Sequence, residues 1–427
     1  MSFRDVLRIR SFRDLWLGQA ISQMGDSIYY VSFMFMAQQV TNSFAMVGYV
    51  GAMEMLPYVL FGPYAGVVAD RIDRRRIMLL SDLSSTAALI AFATVVAICH
   101  GAPPAWTLLA IPFALSTMRC FFMPAKSASI PRLVPAAVLN KANALSTSTF
   151  NVVGLMGLAL AATVIAKLYE ITPQNFFAIL LLINSLSFAG SAVFIRRLPA
   201  IVPEREHEEK HPWEDFKSGL RYIRARRDLK LLIILLTVFR LGVAPFFVMY
   251  VAANKVWFGG KPQTLMWLEF TFFVGMIIGS FVASAMKVRR PTLAFSWELM
   301  LVGFFILALA IPQLWIFIAS NLLCGIVVAA GDIPITTYLQ ASVEDAYRGR
   351  VNSARDMISV GVMPLGMALG GVLLRELGLV GSFIVMGAVM AVAGAAGFID
   401  RKYREVQMPA EVYAVKSVTP AANGAAA

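Results

Sequence analysis

The sequence predicts an all-α membrane protein of twelve transmembrane helices arranged in two pseudo-symmetric six-helix bundles. Three observations lead there. Hydrophobic residues make up 59% of the 427 positions and charged residues only 15%, with a mean hydropathy of +0.71. A soluble domain is about half apolar and about a quarter charged. Apolar stretches of spanning length, roughly 20 residues each, recur from end to end. Basic residues collect in alternate loops, as they do when a chain crosses a bilayer back and forth.

The spans are expected at 13–40, 44–69, 77–99, 105–126, 142–167, 174–195, 229–256, 264–286, 291–311, 314–338, 356–374 and 378–399. The joints at 41–43, 100–104 and 311–314 leave room only for tight turns between antiparallel helices. One substantial polar stretch, 198–228, separates the sixth span from the seventh. It contains Glu204, Arg205, Glu206, Glu208, Glu209 and Lys210. Phe216, Leu220 and Ile223 then recur at helical spacing, as in a helix lying on the membrane surface. The organisation is therefore an N-terminal bundle over 1–197, a linker with an amphipathic helix over 198–228 and a C-terminal bundle over 229–404. An Ala- and Pro-rich disordered tail is expected over 405–427. The halves echo each other where Pro124 to Pro135 and Asn140 to Asn143 match Pro334 to Val343 and Arg348 to Asn352. A repeat of two halves with a site between them is a common transporter plan.

Orientation follows from the loops. One side collects Arg4 to Arg13, Arg71 to Arg76, Lys126 to Lys141, the linker cations, Lys287 to Arg290, Arg348 to Arg355 and the tail. The other side carries Lys167, Lys255, Lys261 and Arg375. The positive-inside rule puts both termini in the cytoplasm. The net charge of +12 is then a topology signal and not a nucleic-acid footprint. Cys99, Cys120 and Cys324 sit in apolar runs without CxxC spacing, and His100, His207 and His211 lie in loops, which argues against a metal or haem centre. A phosphate-binding loop of the Gly-x-x-x-x-Gly-Lys type is absent. No cofactor is expected, and a proton gradient is the expected energy source. No cleavable leader is visible before the first span.

The segment Gly66-Val67-Val68-Ala69-Asp70-Arg71-Ile72-Asp73-Arg74-Arg75-Arg76 resembles the loop signature of the major facilitator superfamily, with Asp73 in place of a glycine. Gly66 suits close helix approach. Asp70 at a helix end can pair with arginine and with a neighbouring helix N-terminus. The resemblance implies a cytoplasmic gate latch of Gly66, Asp70, Arg71, Arg74 and Arg75. Phe12 to Gln19 with Ser22, Gly25 and Asp26, Leu56 to Pro63, and Arg348 to Val351 are similar to the macrolide-efflux and enterobactin-exporter branch. That branch implies a monomeric exporter in a bacterial inner membrane, acting on small amphipathic molecules and contributing to antibiotic resistance. The antiporter pattern of the fifth span is reduced to Gly154-x-x-Gly157, whereas the eleventh carries Gly361, Pro364, Gly366, Gly370 and Gly371, pointing to a hinge or close packing there.

A charge at the bilayer centre costs a few kcal/mol or more unless it is paired or wet. Asp26, Glu54, Arg119 and Arg240 lie well inside their spans and are the candidates for transport and proton coupling. Asp26 ranks first, with Gln19 and Ser22 on nearly the same helical face. A buried carboxyl there suits either proton release and rebinding or the holding of a cationic substrate. Arg119 and Arg240, one per half, are the natural counter-ions, or a site for an anion. Glu269, Glu298 and Asp332 lie nearer the membrane edges, where a snorkelling or a structural role is expected. Asp82 is expected to pair with the loop at 71–76. With 22 Met and 30 Phe, an adaptable apolar cavity wall is available. Two other readings remain: a lysophospholipid or lipid transporter, and a membrane enzyme or sensor. An enzyme needs clustered His, Asp or Cys at a membrane face, and a sensor needs an added signalling domain.

Overall fold

A computed structural model describes residues 3–172, 175–202 and 212–409. Its helices in chain order are α1 (Phe3–Leu7), α2 (Arg10–Thr41), α3 (Phe44–Arg71), α4 (Arg74–Ile98), α5 (Thr107–Leu133), α6 (Ala136–Ile171), α7 (Phe176–Arg196) and α8 (Pro212–Ala225). They continue with α9 (Arg227–Val243), α10 (Phe246–Trp257), α11 (Pro262–Ala285), α12 (Pro291–Ala308), α13 (Leu314–Ser342), α14 (Asp345–Ser359), α15 (Met363–Ile399) and α16 (Arg401–Arg404). Among the described residues, 8 stretches are long and apolar enough to cross a membrane. One of them, Arg350–Ile399, takes in both of the last two predicted spans. The first and fifth predicted spans fall on α2 and α6, of 32 and 36 residues, and α11 holds a shorter apolar run, Trp267–Ala283.

The tight joints form by ordinary capping chemistry. Asn42 takes left-handed backbone (φ 50) after α2, its amide donating to the Gln38 carbonyl at 2.8 Å. The Ser43 hydroxyl then accepts the Met46 amide at 3.4 Å and starts α3. Within the first part of the chain α2 packs on α6 and α7, α3 on α5, and α4 on α5 and α7. In the second part α11 packs on α13, α12 on α13 and α15, and α9 on α15. The two parts meet where α3 crosses α15 and α6 crosses α11.

Four details differ from expectation. The seventh span is split into α9 and α10 at Ala244 and Pro245, because proline has no amide to donate and its ring crowds the preceding turn. Residues 360–362 interrupt the eleventh span before Pro364, while the joint expected between the eleventh and twelfth spans falls at Gly378 (φ 66), where two helices meet across a kink in a conformation glycine adopts freely. The linker helix α8 is docked on α14, with Tyr222 and Tyr347 stacked at 5.1 Å and the Arg350 carbonyl against Gly219. Finally, the start of the expected tail packs back onto the body. Tyr403 and Met408 are buried, and the Met408 amide donates to the Arg289 carbonyl at 2.9 Å. The linker residues 203–211, with His207 and His211, and the tail from 410 lie outside the described residues.

The two ends of the molecule are packed differently. At the end away from the basic loops, a Cβ on Gly48 would lie 2.5 Å from the Met367 carbonyl, and Gly371 abuts Ala45. Lys255 Nζ donates to Asn42 Oδ1 at 2.7 Å there, joining the first span to the seventh. Toward the basic end of the same helix α3, Gly62 and Gly66 have no neighbour within 4 Å of a Cβ position.

Candidate functional site

Helices α2 to α7 line a cavity of about 70 Å³ that reaches about 750 Å³ when the open solvent at its mouth is counted. Its polar wall is built on α2, where Gln19, Ser22, Gln23 and Asp26 share one face. Gly25 is the reason Asp26 reaches the interior beside α7. A Cβ at that position would collide with Asn184 and Ser187, so only glycine lets the two helices come this close. From α5, Arg119 reaches across to Asp26 Oδ2 at 3.5 Å and donates to Gln23 Oε1 at 3.4 Å. Ser146 of α6 donates to Gln19 Oε1 at 3.3 Å. Glu54 of α3 faces the same space, as do Ser81, Asp82 and Ser85 of α4. The other wall is apolar and deformable: Met118, Phe122, Met123, Phe150 and Phe188. Among the lining residues three carboxyls therefore face a single guanidinium.

The structure thus brings Asp26, Glu54 and Arg119 together. Arg240 is elsewhere, on α9, 3.9 Å from Asp332 of α13. Asp82 corrects an expectation. It does not pair with the loop at 71–76 but is buried at the cavity, beside Ser191, with one oxygen unpartnered. Glu298 does not snorkel either: only 2% exposed, it sits in the interior of the second half, and Glu269 is likewise buried. Sequence reading missed Asp82 and Asn184 as neighbours of Asp26. The signal for Asp82 was present, since Ser81, Asp82 and Ser85 make a polar patch at i, i+1 and i+4 in an apolar helix.

The loop at 66–76 acts as a staple within the first half. Asp70 and Arg74 pair at 3.6 Å, and Arg74 donates to the Ala69 carbonyl at 3.0 Å and the Ala128 carbonyl at 2.8 Å. Arg75 donates to the Arg196 carbonyl at 2.6 Å. Asp73 caps α4 by accepting the Arg75 amide at 3.0 Å and also accepts the Ile201 amide at 2.9 Å, so the residue departing from the signature has a structural task. Arg71 is exposed, and the close approach expected at Gly66 is not made. Gly157 packs against Ser27 of α2, and a Cβ on Gly154 would lie 3.8 Å from Gln23 Nε2. A Cβ on Gly366 would lie 2.5 Å from the Leu241 carbonyl oxygen, Gly361 abuts the Met357 carbonyl, and Pro364 sits in the first turn of α15.

A family model described as transmembrane secretion effector matches residues 3–416. Macrolide efflux protein A of Streptococcus pyogenes is 25% identical over 383 residues, covering 89% of this chain and 93% of its own length. Multidrug efflux pump Tap of Mycolicibacterium fortuitum is 25% identical over 407 residues, covering 90% and 94%. Among solved structures, a mutant of the nucleoside transporter NupG superposes with a TM-score of 0.70 at 12% identity, covering 90% of this chain and 98% of that one. A bacterial homologue of the iron transporter ferroportin in an inward-facing state gives 0.69 at 16% identity, covering 93% and 99%.

Proposed function

The chain belongs to the transmembrane secretion effector family of major facilitator transporters, and on that premise we propose that it is a proton-coupled exporter of bulky amphipathic small molecules, macrolide-like drugs among them. It is a multi-pass membrane transporter and not an enzyme. The observation that carries the substrate class is the two-faced cavity, with carboxyls on one wall and Met and Phe on the other. Such a wall receives a large apolar body while the acids meet a cationic or hydrogen-bonding group. The names of the relatives favour drug efflux over lipid transport.

In this reading the twelve spans form two bundles, 1–197 and 229–404, joined by 198–228, and the monomer sits in a bacterial inner membrane with its basic end cytoplasmic. The packed outer ends of α2, α3, α10 and α15 and the open surround of Gly62 and Gly66 support an inward-open state. Substrate enters the cavity from the cytoplasm. Asp26, paired with Arg119 at 3.5 Å, exchanges that partner for a proton when the halves rock outward, and Glu54 shares the charge balance. Gly361, Pro364 and Gly366 provide the break about which α15 tilts, and the Gly66 to Arg75 loop closes on the opposite half in the outward state.

The test is accumulation of a radiolabelled macrolide in drug-sensitive cells carrying empty vector, the wild type or Asp26→Asn. Wild-type cells are expected to hold less drug than vector cells, and the Asp26→Asn cells to match the vector. Equal accumulation in all three at equal expression contradicts the reading.

A further inference from the structure

The second half repeats the charge plan of the first with the signs exchanged. Arg13-Asp14-Leu15 opens the first membrane helix and Arg227-Asp228-Leu229 opens the seventh, and the same number of residues further on stand Asp26 and Arg240. Each pairs with the opposite charge on the fourth helix of its half: Asp26 with Arg119 of α5 at 3.5 Å, Arg240 with Asp332 of α13 at 3.9 Å. The third helix of each half adds a buried acid, Asp82 near the start of α4 and Glu298 at nearly the same place in α12, each 2% exposed.

Glu298 is the more isolated of the two. Neither of its carboxyl oxygens has a hydrogen-bond partner. Gly331 of α13 makes its cradle, since a Cβ there would collide with the carboxyl. The titratable groups that face it are Asp332 and Cys324 from α13, Arg240 from α9 and Tyr403 from α16. The charges of α15, Arg375 and Glu376, are exposed and paired to each other at 2.7 Å. An ionised carboxyl without a partner in such a place carries the full desolvation cost of its charge. A bound proton removes that cost, and so does a guanidinium. Arg240 lies within reach of both acids and spends itself on Asp332 at a distance typical of a loose pair. Arg240 and Asp332 are each 37% exposed, so water has a route to the cluster.

We propose that Glu298 is a proton-binding site of the C-terminal half, which in the state seen here holds a proton and which on losing it draws Arg240 away from Asp332. The Glu298 O–H bond breaks, the proton passes to water at the exposed Arg240–Asp332 side, and the new carboxylate accepts from the Arg240 guanidinium. Arg240 keeps its charge throughout, and Asp332 is left solvated. The site extends the export reading by adding a second proton to the cycle, placed in the half opposite the drug cavity.

Infrared spectroscopy of the purified protein in lipid vesicles, without substrate, tests it independently of what is transported. Wild type at neutral pH is expected to show the carbonyl stretch of a protonated carboxyl that is lost in Glu298→Gln and kept in Asp26→Asn. In Arg240→Gln the same band should persist to more alkaline pH, because the competing counter-charge is gone. A Glu298→Gln spectrum that retains the full wild-type band, with an unchanged melting temperature showing that the variant is folded, overturns the proposal. So does a band insensitive to Arg240→Gln. Failure of drug export leaves these spectra unaffected, so the two readings fall separately.

Discussion

At the residue level the account turns on Asp26 and the groups that hold it. Arg119 is its ionic partner at 3.5 Å, and Gly25 admits α7 close beside it. Replacing Gly25 with alanine pushes a methyl into Asn184 and Ser187, and overpacking of this kind costs about 1–3 kcal/mol. Gly25→Ala is therefore expected to lower the melting temperature and drug efflux together, whereas Asp26→Asn, which keeps the volume, should remove efflux with the melting temperature nearly unchanged. A stable Gly25→Ala protein with full efflux contradicts this packing. Much of the site was legible residue by residue, since Asp26, Glu54 and Arg119 each announce themselves as charges in apolar runs. Their assembly was not legible. Whether Asp82 faces the basic loop or the cavity depends on the rotation of α4 against α7, which hydropathy does not encode. Likewise Glu298 could be placed near a membrane edge by counting, but its burial depends on α13 offering a glycine at 331.

The elements are tied together at the basic end by short capping contacts. Asp73 both starts α4 and receives the Ile201 amide at 2.9 Å. Loss of an N-cap carboxyl costs about 1 kcal/mol, and Asp73→Ala should lower the melting temperature accordingly, while a return to the glycine of the family signature should recover little because the Ile201 contact is lost as well. Asp400 plays the same part before α16. The Tyr403 amide, donating at 3.0 Å, and the Arg227 guanidinium at 2.7 Å hold its carboxyl below the usual carboxylate range. A carboxyl depressed on folding stabilises above its unfolded range, and that contribution is lost as the pH falls through its folded value. The melting temperature of the wild type should exceed that of Asp400→Asn at neutral pH, with the gap closing on acidification; a gap independent of pH contradicts this. Helix positions were mostly readable from hydropathy and turn residues such as Asn42 and Ser43. Tertiary packing supplied what was not. Gly366 and Gly370 press α15 onto the break at Pro245, and α8 gives up a free surface to stack Tyr222 on Tyr347.

For the whole molecule, the proposed inward-open state, with its tight packing at the end away from the basic loops, implies motion between the halves. Cysteines replacing Asn42 and Lys255, now joined at 2.7 Å, should be captured by a short cleavable cross-linker in the resting protein, stopping transport until the linker is reduced. Transport that continues across an intact cross-link contradicts rocking about this end. The central claim, that protons entering through the Asp26 cavity drive export, is tested most directly in proteoliposomes under an imposed pH gradient, measuring uphill movement of a radiolabelled macrolide. Wild type is predicted to accumulate drug against its concentration only while the gradient lasts, and Asp26→Asn to allow exchange without accumulation. Uphill transport by Asp26→Asn equal to that of the wild type, or by the wild type without any gradient, would contradict the account.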